Sequence, residues 1–226
     1  MIKLLRLHLG YLLSRNNIIV LSLIILFYGC VCLFESKFYI SNNEQFLYSN
    51  QYQVSYDHTI IMISKIILAL ISCYVFSNIK NNTYFMILGI GKNRFYLSKI
   101  MTNILVVIFI TIVMFLIYLG VGLLTRWFVL EFKSIKLFCQ FTLQSTVLGL
   151  ISNNLCYLLK TNFAFILTFF LYIVFENIVN ENIIIQIISI FFPILFNNNL
   201  SFLTQSLSLV LYGLTGFCLF KRYENY

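Results

Sequence analysis

The sequence predicts an all-α integral membrane protein, because the chain is apolar, poor in charge and divided into long apolar runs. Of its 226 residues, 61% are hydrophobic and 10% are charged, and the mean hydropathy is +0.92. A soluble domain carries about 25% charged residues. Several runs approach the roughly 20 residues that a transmembrane helix needs. We therefore predict one transmembrane domain over residues 1–226 and no separate globular domain.

Six apolar runs are predicted to form transmembrane helices. They are Ile18–Phe34, Thr59–Phe76, Ile104–Leu124, Leu137–Leu159, Phe163–Val179 and Thr204–Phe220. A shorter run, Ile183–Phe196, contains Pro193, which is the single proline of the chain. Runs of about 10–14 residues are more typical of re-entrant or interfacial segments than of spans. The expected architecture is six spans with a short re-entrant piece between spans five and six.

The N-terminal segment, residues 1–15, is predicted to be an amphipathic helix at the inner membrane surface. Its apolar residues recur at helical spacing, and Lys3, Arg6 and Arg15 give it a basic side. A signal peptide is the alternative interpretation, but no small-x-small cleavage site follows the apolar run. We therefore expect an uncleaved interfacial helix that leads into span one.

The distribution of basic residues predicts the orientation in the membrane. With both termini in the cytoplasm, the inner segments hold ten Lys and Arg residues and the outer segments hold four. The inner ones are Lys3, Arg6, Arg15, Lys80, Lys92, Arg94, Lys99, Lys160, Lys221 and Arg222, and the outer ones are Lys37, Arg126, Lys133 and Lys136. Basic residues are retained on the cytoplasmic side. We therefore predict a multi-pass protein of the cell membrane with cytoplasmic termini, and no nucleic-acid binding, because the charges are spread over separate segments.

The residue types needed for catalysis or metal binding do not come together in this sequence. The predicted spans contain no Asp, and their single Glu, Glu176, lies near an outer end. The six cysteines lack metal-ligand spacing, and His8 and His58 fall on opposite sides of the membrane. The sequence around Gly89 and Gly91 lacks the other residues of a phosphate-binding loop. We expect a non-catalytic chain with no cofactor and no metal.

Three polar residues within the predicted spans are candidates for a transport path or a subunit interface. Lys65 lies in span two, where a basic residue costs roughly 2.5–3.5 kcal/mol on insertion scales and normally faces a cavity or an interface. Gln140 and Gln144 lie four residues apart in span four and share a helix face. Snorkelling of Lys65 to the outer surface and ordinary hydrogen bonding between helices are the alternatives.

The segment Phe76–Ile100, between spans two and three, forms a basic elbow. It carries Lys80, Lys92, Arg94 and Lys99 and no acidic residue, which predicts a cytoplasmic position. We expect a short helix over Thr83–Leu88, a break at the two glycines, and a second helical run. Such a structured elbow indicates a docking surface, and a solvated loop held near anionic lipid is the alternative.

The elbow resembles that of type-2 ABC transporter permeases. The resemblance is carried by Asn82-Thr83 and by Gly91-x-x-Arg94-x-x-x-x-Lys99. Asn82 stands where that family usually has Gly, and Gly91 stands where it often has Pro. The predicted topology also looks like that family. The resemblance implies that a coupling helix in the elbow docks on a cytoplasmic ABC ATPase subunit, with Asn82, Thr83, Gly89, Gly91, Arg94 and Lys99 at the docking site.

The same resemblance implies the function of the chain. It would be the membrane-spanning subunit of an ATP-driven exporter, and a second copy or a paralogue would supply the other half of the path. The expected substrate class is amphipathic or peptide-like, and export or self-protection against such peptides fits this family. A membrane scaffold or sensor without transport is the alternative from another class. An ion-driven carrier usually shows acidic residues near the midplane and internal repeats, and neither is evident in this sequence.

Overall fold

The computed structural model describes residues 9–10, 15–42, 50–77, 91–124, 132–177 and 200–223. These residues form six helices, which are α1 (Arg15–Asn42), α2 (Asn50–Ser77), α3 (Lys92–Leu124), α4 (Phe132–Cys156), α5 (Thr161–Asn177) and α6 (Leu200–Tyr223). No strand occurs in these described segments, so the all-α fold class is confirmed. The predicted N-terminal helix, apart from the helical residues 9–10, the short helix Thr83–Leu88 and the re-entrant piece Ile183–Phe196 lie outside the described residues.

Four of the helices are long and apolar enough to cross a membrane. The qualifying stretches are Asn17–Phe34 in α1, Asn93–Leu124 in α3, Ile135–Cys156 in α4 and Leu203–Arg222 in α6. The apolar stretches of α2 and α5 are shorter, at Met62–Phe76 and Thr161–Val174. Length and composition thus support a membrane protein, and the crossing of all six helices stays a prediction.

Helices α1 and α2 extend beyond the predicted spans. Helix α1 continues to Asn42, and α2 begins at Asn50. The predicted span Ile18–Phe34 agrees with the apolar stretch Asn17–Phe34 of α1, so the extra residues lengthen the helices and not their apolar parts. Helix α1 can continue past Phe34, and α2 can begin before Thr59, because residues 35–42 and 50–58 contain no Gly or Pro that would end a helix. Hydropathy marks the apolar part of a helix, whereas the helix itself continues until the backbone is broken.

The six helices alternate in direction, so the starts of α1, α3 and α5 lie at the same end of the bundle as the ends of α2, α4 and α6. Beside the start of α1, the Tyr74 hydroxyl of α2 donates a hydrogen bond of 2.9 Å to Asn17 Oδ1. The start of α3 lies beside the end of α6, where the rings of Tyr96 and Phe217 are 5.6 Å apart. Helix α5 begins directly after the turn that ends α4. We call this the basic end, because it carries the exposed side chains of Arg94, Lys160, Lys221 and Arg222.

Helix α4 is the central helix of the bundle. Of its apolar stretch 67% is buried, against 17% for that of α1, and α4 contacts α2, α3, α5 and α6. Helix α2 approaches it closely at Gly149, where a Cβ would collide with the Phe76 ring and with Ser72 Oγ. The Ser72 hydroxyl donates a hydrogen bond to the Ser145 carbonyl at the same contact. Small residues therefore allow the two helices to pack closely.

The outer faces of the helices are apolar. Exposed large hydrophobic residues lie along the outward sides of α1, α3, α5 and α6, and they include Leu23, Leu26, Phe27, Leu105, Phe109, Ile112, Leu116, Phe163, Ile166, Phe170, Leu203, Leu207, Val210 and Leu214. Exposed apolar surface of this extent is typical of contact with lipid or with another membrane chain. The buried polar residues lie on the opposite, inward-facing sides of the helices.

Candidate functional site

The elbow enters the bundle at Gly91. Its φ angle is +82°, a conformation that residues with a side chain rarely adopt. A Cβ at this position would meet nothing within 4 Å, so the backbone conformation and not the available space favours glycine. The Gly91 carbonyl accepts a hydrogen bond of 3.2 Å from the Phe95 amide, which closes the first turn of α3. Gly91 therefore sets the direction in which the chain leaves the elbow.

The first two turns of α3 have two different faces. Asn93, Arg94 and Leu97 are exposed. In contrast, Phe95 and Lys99 are only 1% and 5% exposed. One face is therefore available to a partner, while the other is fixed within the bundle.

A cluster of aromatic rings holds this start of α3 against the ends of α4 and α6. We call it the aromatic junction, and it consists of Phe95, Tyr96, Tyr157, Phe217 and Phe220. The Phe220 ring centroid lies 6.2 Å from that of Phe95 and 5.3 Å from that of Tyr96. The Tyr157 ring meets Phe220 edge-on at 6.1 Å. Such pairs contribute about 0.5–1.5 kcal/mol each beyond their burial, so the junction ties three helix ends together.

Lys99 belongs to this junction. Its Nζ donates a hydrogen bond of 3.5 Å to the Tyr157 hydroxyl and lies 5.6 Å from the centroid of the same ring. On α6, Lys221 Nζ lies 4.5 Å from the centroid of the Phe217 ring. Ring faces attract cations, with the strongest effect where water is excluded. The Lys99 amine thus reinforces the contact between the start of α3 and the end of α4, whereas Lys221 and Phe217 lie one turn apart on α6.

Helix α6 is also fixed by hydrogen bonds close to the junction. The Tyr96 hydroxyl donates to the Gly213 carbonyl over 3.2 Å. From α4, Asn154 Nδ2 donates to the Tyr212 carbonyl over 2.9 Å and to Thr215 Oγ1 over 3.1 Å. At Gly216 a side chain would collide with the Tyr96 hydroxyl and with Asn154 Oδ1. Three helices therefore meet at a point where only glycine fits.

The structure separates the residues that the sequence singles out. Gly91, Arg94 and Lys99 lie at the basic end, whereas Asn82, Thr83 and Gly89 lie outside the described residues. Gln140 and Gln144 are buried in α4, at 5% and 2% exposure. Lys65 is half-buried in α2, two turns before Ser72 on the side that faces α4. Neither Lys65 nor the glutamines join the aromatic junction, so the chain carries two distinct groups of candidates.

Sequence reasoning missed the aromatic junction. The chain has 24 Phe and 15 Tyr, so the members of this cluster do not stand out by type. Two local signals were present. Phe95 and Tyr96 follow directly on the Gly91 turn, and Phe217 and Phe220 are three residues apart at the end of span six. Their meeting depends on the packing of three helices, which no local pattern contains.

Among the described residues, no group of three or more His, Cys, Asp or Glu side chains could hold a metal ion. Comparison of the chain with protein families, with curated proteins and with solved structures gives no match. The site is therefore interpreted from its own geometry and chemistry.

Proposed function

We propose that this chain is the membrane-spanning subunit of an ATP-driven exporter. In this proposal all six helices span the membrane, the basic end is cytoplasmic, and a separate ABC ATPase subunit docks on the elbow. A second copy or a paralogue completes the transporter. The observation that supports the proposal best is the two-faced start of α3, at which an exposed basic face and a fixed aromatic face share one helix.

The exposed face suits a docking surface. Arg94 and Leu97 project from the first turns of α3, immediately after the Gly91 turn. A basic and an apolar side chain together can provide both the charge complementarity and the buried contact that an interface needs. The elbow residues Asn82, Thr83 and Gly89 are proposed to complete this surface.

The buried face suits the transmission of movement. Displacement of the elbow would act directly on α3, a single helix of 33 residues. Through the aromatic junction the displacement would also act on α4 and α6. Phe220 of α6 contacts Phe95 of α3, and Tyr157 at the end of α4 contacts Phe220. Lys99 would help to hold this connection, since its amine contacts Tyr157 and not the exposed face.

The charges at the two ends support the proposed orientation. Exposed basic side chains at the basic end belong to Arg94, Lys160, Lys221 and Arg222, whereas Lys136 lies near the opposite end. The retention of Lys and Arg on the cytoplasmic side supports a cytoplasmic basic end. The elbow would then be accessible to a cytoplasmic ATPase, and both termini would be cytoplasmic.

An amphipathic or peptide-like molecule is the proposed substrate class. The outer faces of the helices are apolar, and polar side chains such as Gln140 and Gln144 are buried within the bundle. A path along these polar side chains, within an otherwise apolar bundle, suits a substrate with apolar and polar parts. Lys65, Gln140 and Gln144 are the residues proposed to contact it.

Co-purification tests the docking. Arg94→Glu reverses a charge on the exposed face, and Lys160→Glu makes the same change at the basic end but in the turn that precedes α5. If Arg94 contacts the ATPase, we expect Arg94→Glu to weaken association about tenfold or more, which corresponds to 1.4 kcal/mol, while Lys160→Glu leaves it unchanged. Equal recovery of the ATPase with both variants would contradict docking at this face. Isolation of the wild-type chain without any ATPase would favour a scaffold or a sensor.

A further inference from the structure

Asn103 of α3 is buried in an unusual state. The side chain is 0% exposed, and neither of its amide atoms has a hydrogen-bond partner among the described residues. An asparagine amide can donate two hydrogen bonds and accept two. Burial without any of them is unfavourable, and in most proteins an ordered water molecule satisfies such a group.

Two further amide atoms, which belong to neighbouring residues of α4, are in the same state. Asn153 Nδ2 and Asn154 Oδ1 are buried and have no hydrogen-bond partner in the described part of the chain. Asn154 nevertheless holds α6 through its other amide atom, since Nδ2 donates to the Tyr212 carbonyl. Its position is therefore fixed, while its oxygen is left to another partner.

Asn103 lies on the side of α3 that faces α6. Tyr96, Lys99 and Asn103 recur at intervals of three and four residues, which places them on one face of the helix. Tyr96 on this face reaches the Gly213 carbonyl of α6. Asn103 follows seven residues later, ~10 Å further from the basic end along the helix axis. It thus continues into the bundle the polar face that begins at the junction.

Polar residues on α4 and α6 continue in the same direction. On α4, Gln140 precedes Asn154 by about four turns and returns to the side that binds α6, and Gln144 lies one turn after Gln140. On α6, Ser208 and Gln205 precede Gly216 by about two and three turns. Because α4 and α6 run in the same direction, Gln144 and Gln205 lie at similar depths, and both are buried.

We propose that these side chains form a hydrated polar column inside the bundle, and that water enters it from the basic end and reaches Asn103. The polar column consists of Tyr96, Lys99, Asn103, Gln140, Gln144, Asn154, Gln205 and Ser208. Its ligand is water, which supplies the donors and acceptors that the amides of Asn103 and Asn154 need. That the column is part of a transport path rests on the proposed function. Its hydration does not depend on that function.

The reactivity of single cysteines tests the hydration. The six native cysteines are replaced by alanine, and one cysteine is placed at Asn103, at Ser208, or at a control position. Open membrane fragments, accessible from both sides, are treated with a charged methanethiosulfonate, which modifies only thiolates that water can reach. Ser208→Cys replaces one oxygen by sulfur, so this variant remains informative if Asn103→Cys does not fold.

The control positions are matched in depth and in burial. Leu105 lies at nearly the same depth as Asn103 on the outward face, and Val107 lies one turn further along the same inward face. Arg94→Cys, at the exposed start of α3, shows that the reagent has reached the protein. The hydrated column predicts modification of positions 103 and 208 at least ten times faster than of positions 105 and 107.

A dry column gives a different result. Rates at positions 103 and 208 no faster than at position 107, with position 94 fully modified, would overturn the proposal. The labelling needs no partner subunit and no transport. A chain that binds no ATPase but shows fast modification at position 103 would therefore contradict the proposed function alone, whereas ATPase binding with slow modification would contradict the column alone.

Discussion

Tyr96 and Gly216 are in direct contact, and the Tyr96 hydroxyl occupies the space that a side chain at position 216 would need. The same hydroxyl donates a hydrogen bond to the Gly213 carbonyl one turn earlier on α6. Asn154 of α4 approaches Gly216 from a second direction. One glycine thus allows α3, α4 and α6 to meet close to the end of the bundle where the elbow enters.

Gly216→Ala should therefore destabilise the bundle, although Ala is normally the better helix residue. The new methyl group overlaps two polar atoms, so the Tyr96 and Asn154 side chains or α6 itself must shift, and such overpacking typically costs 1–3 kcal/mol. Gly213→Ala is the matched control, because a Cβ there meets nothing within 4 Å. We expect that change to be neutral or stabilising by about 0.5–1 kcal/mol. Thermal unfolding of the purified variants in detergent measures both, and equal midpoints would contradict the close contact.

Gly91→Ala should destabilise the start of α3 for a different reason. The position has open space but a φ angle of +82°, which is strained for a residue with a Cβ. The expected loss is about 1–3 kcal/mol in the free energy of unfolding. Gly91→Asn should lose less, since Asn tolerates the left-handed conformation better than Ala. Identical unfolding curves for the two variants would show that the backbone conformation does not determine the preference for glycine.

Charge reversal should prevent folding at Lys99 but leave folding unchanged at Arg94. Lys99 is 5% exposed and contacts Tyr157, so Lys99→Glu places an uncompensated negative charge inside the junction. Burying a carboxylate without a cationic partner is strongly unfavourable, so we expect little folded protein. Arg94→Glu changes an exposed residue and should leave the yield of monodisperse protein unchanged. Lys99→Met, which keeps the length of the side chain without its charge, should fold, and its failure would indicate that the amine itself is required.

The two ends of the bundle should be accessible from opposite sides of the membrane. Single cysteines at Arg94 and at Lys136 replace exposed side chains near opposite ends. If the basic end is cytoplasmic, an impermeant thiol reagent added to intact cells should label position 136 and not position 94. Permeabilised cells, in which both positions should react, are the control. Labelling of position 94 but not position 136 in intact cells would invert the proposed orientation.

The helices were predictable because their apolar composition is a local property of the sequence. Their ends were less predictable. Helices α1 and α2 continue to Asn42 and from Asn50 because no Gly or Pro interrupts them, whereas a hydropathy criterion stops where polar residues begin. At the elbow, Gly91 and Arg94 were recognisable from a turn residue and a charge. The resemblance to ABC permeases placed Lys99 on the docking surface, whereas in the structure Lys99 is buried against Tyr157, which is 58 residues away in the sequence.

The most direct test of the central claim is a photo-crosslink from the exposed face of α3. A photoreactive amino acid at position 94 is activated in intact cells, and the crosslinked partner is identified by mass spectrometry. The same residue at Leu124, which is 80% exposed at the opposite end of α3, is the control. We predict that position 94, and not position 124, crosslinks to a protein with the phosphate-binding loop of an ABC ATPase. Crosslinks from position 94 to lipid alone, or equal crosslinking from both positions, would contradict the docking of an ATPase at this elbow.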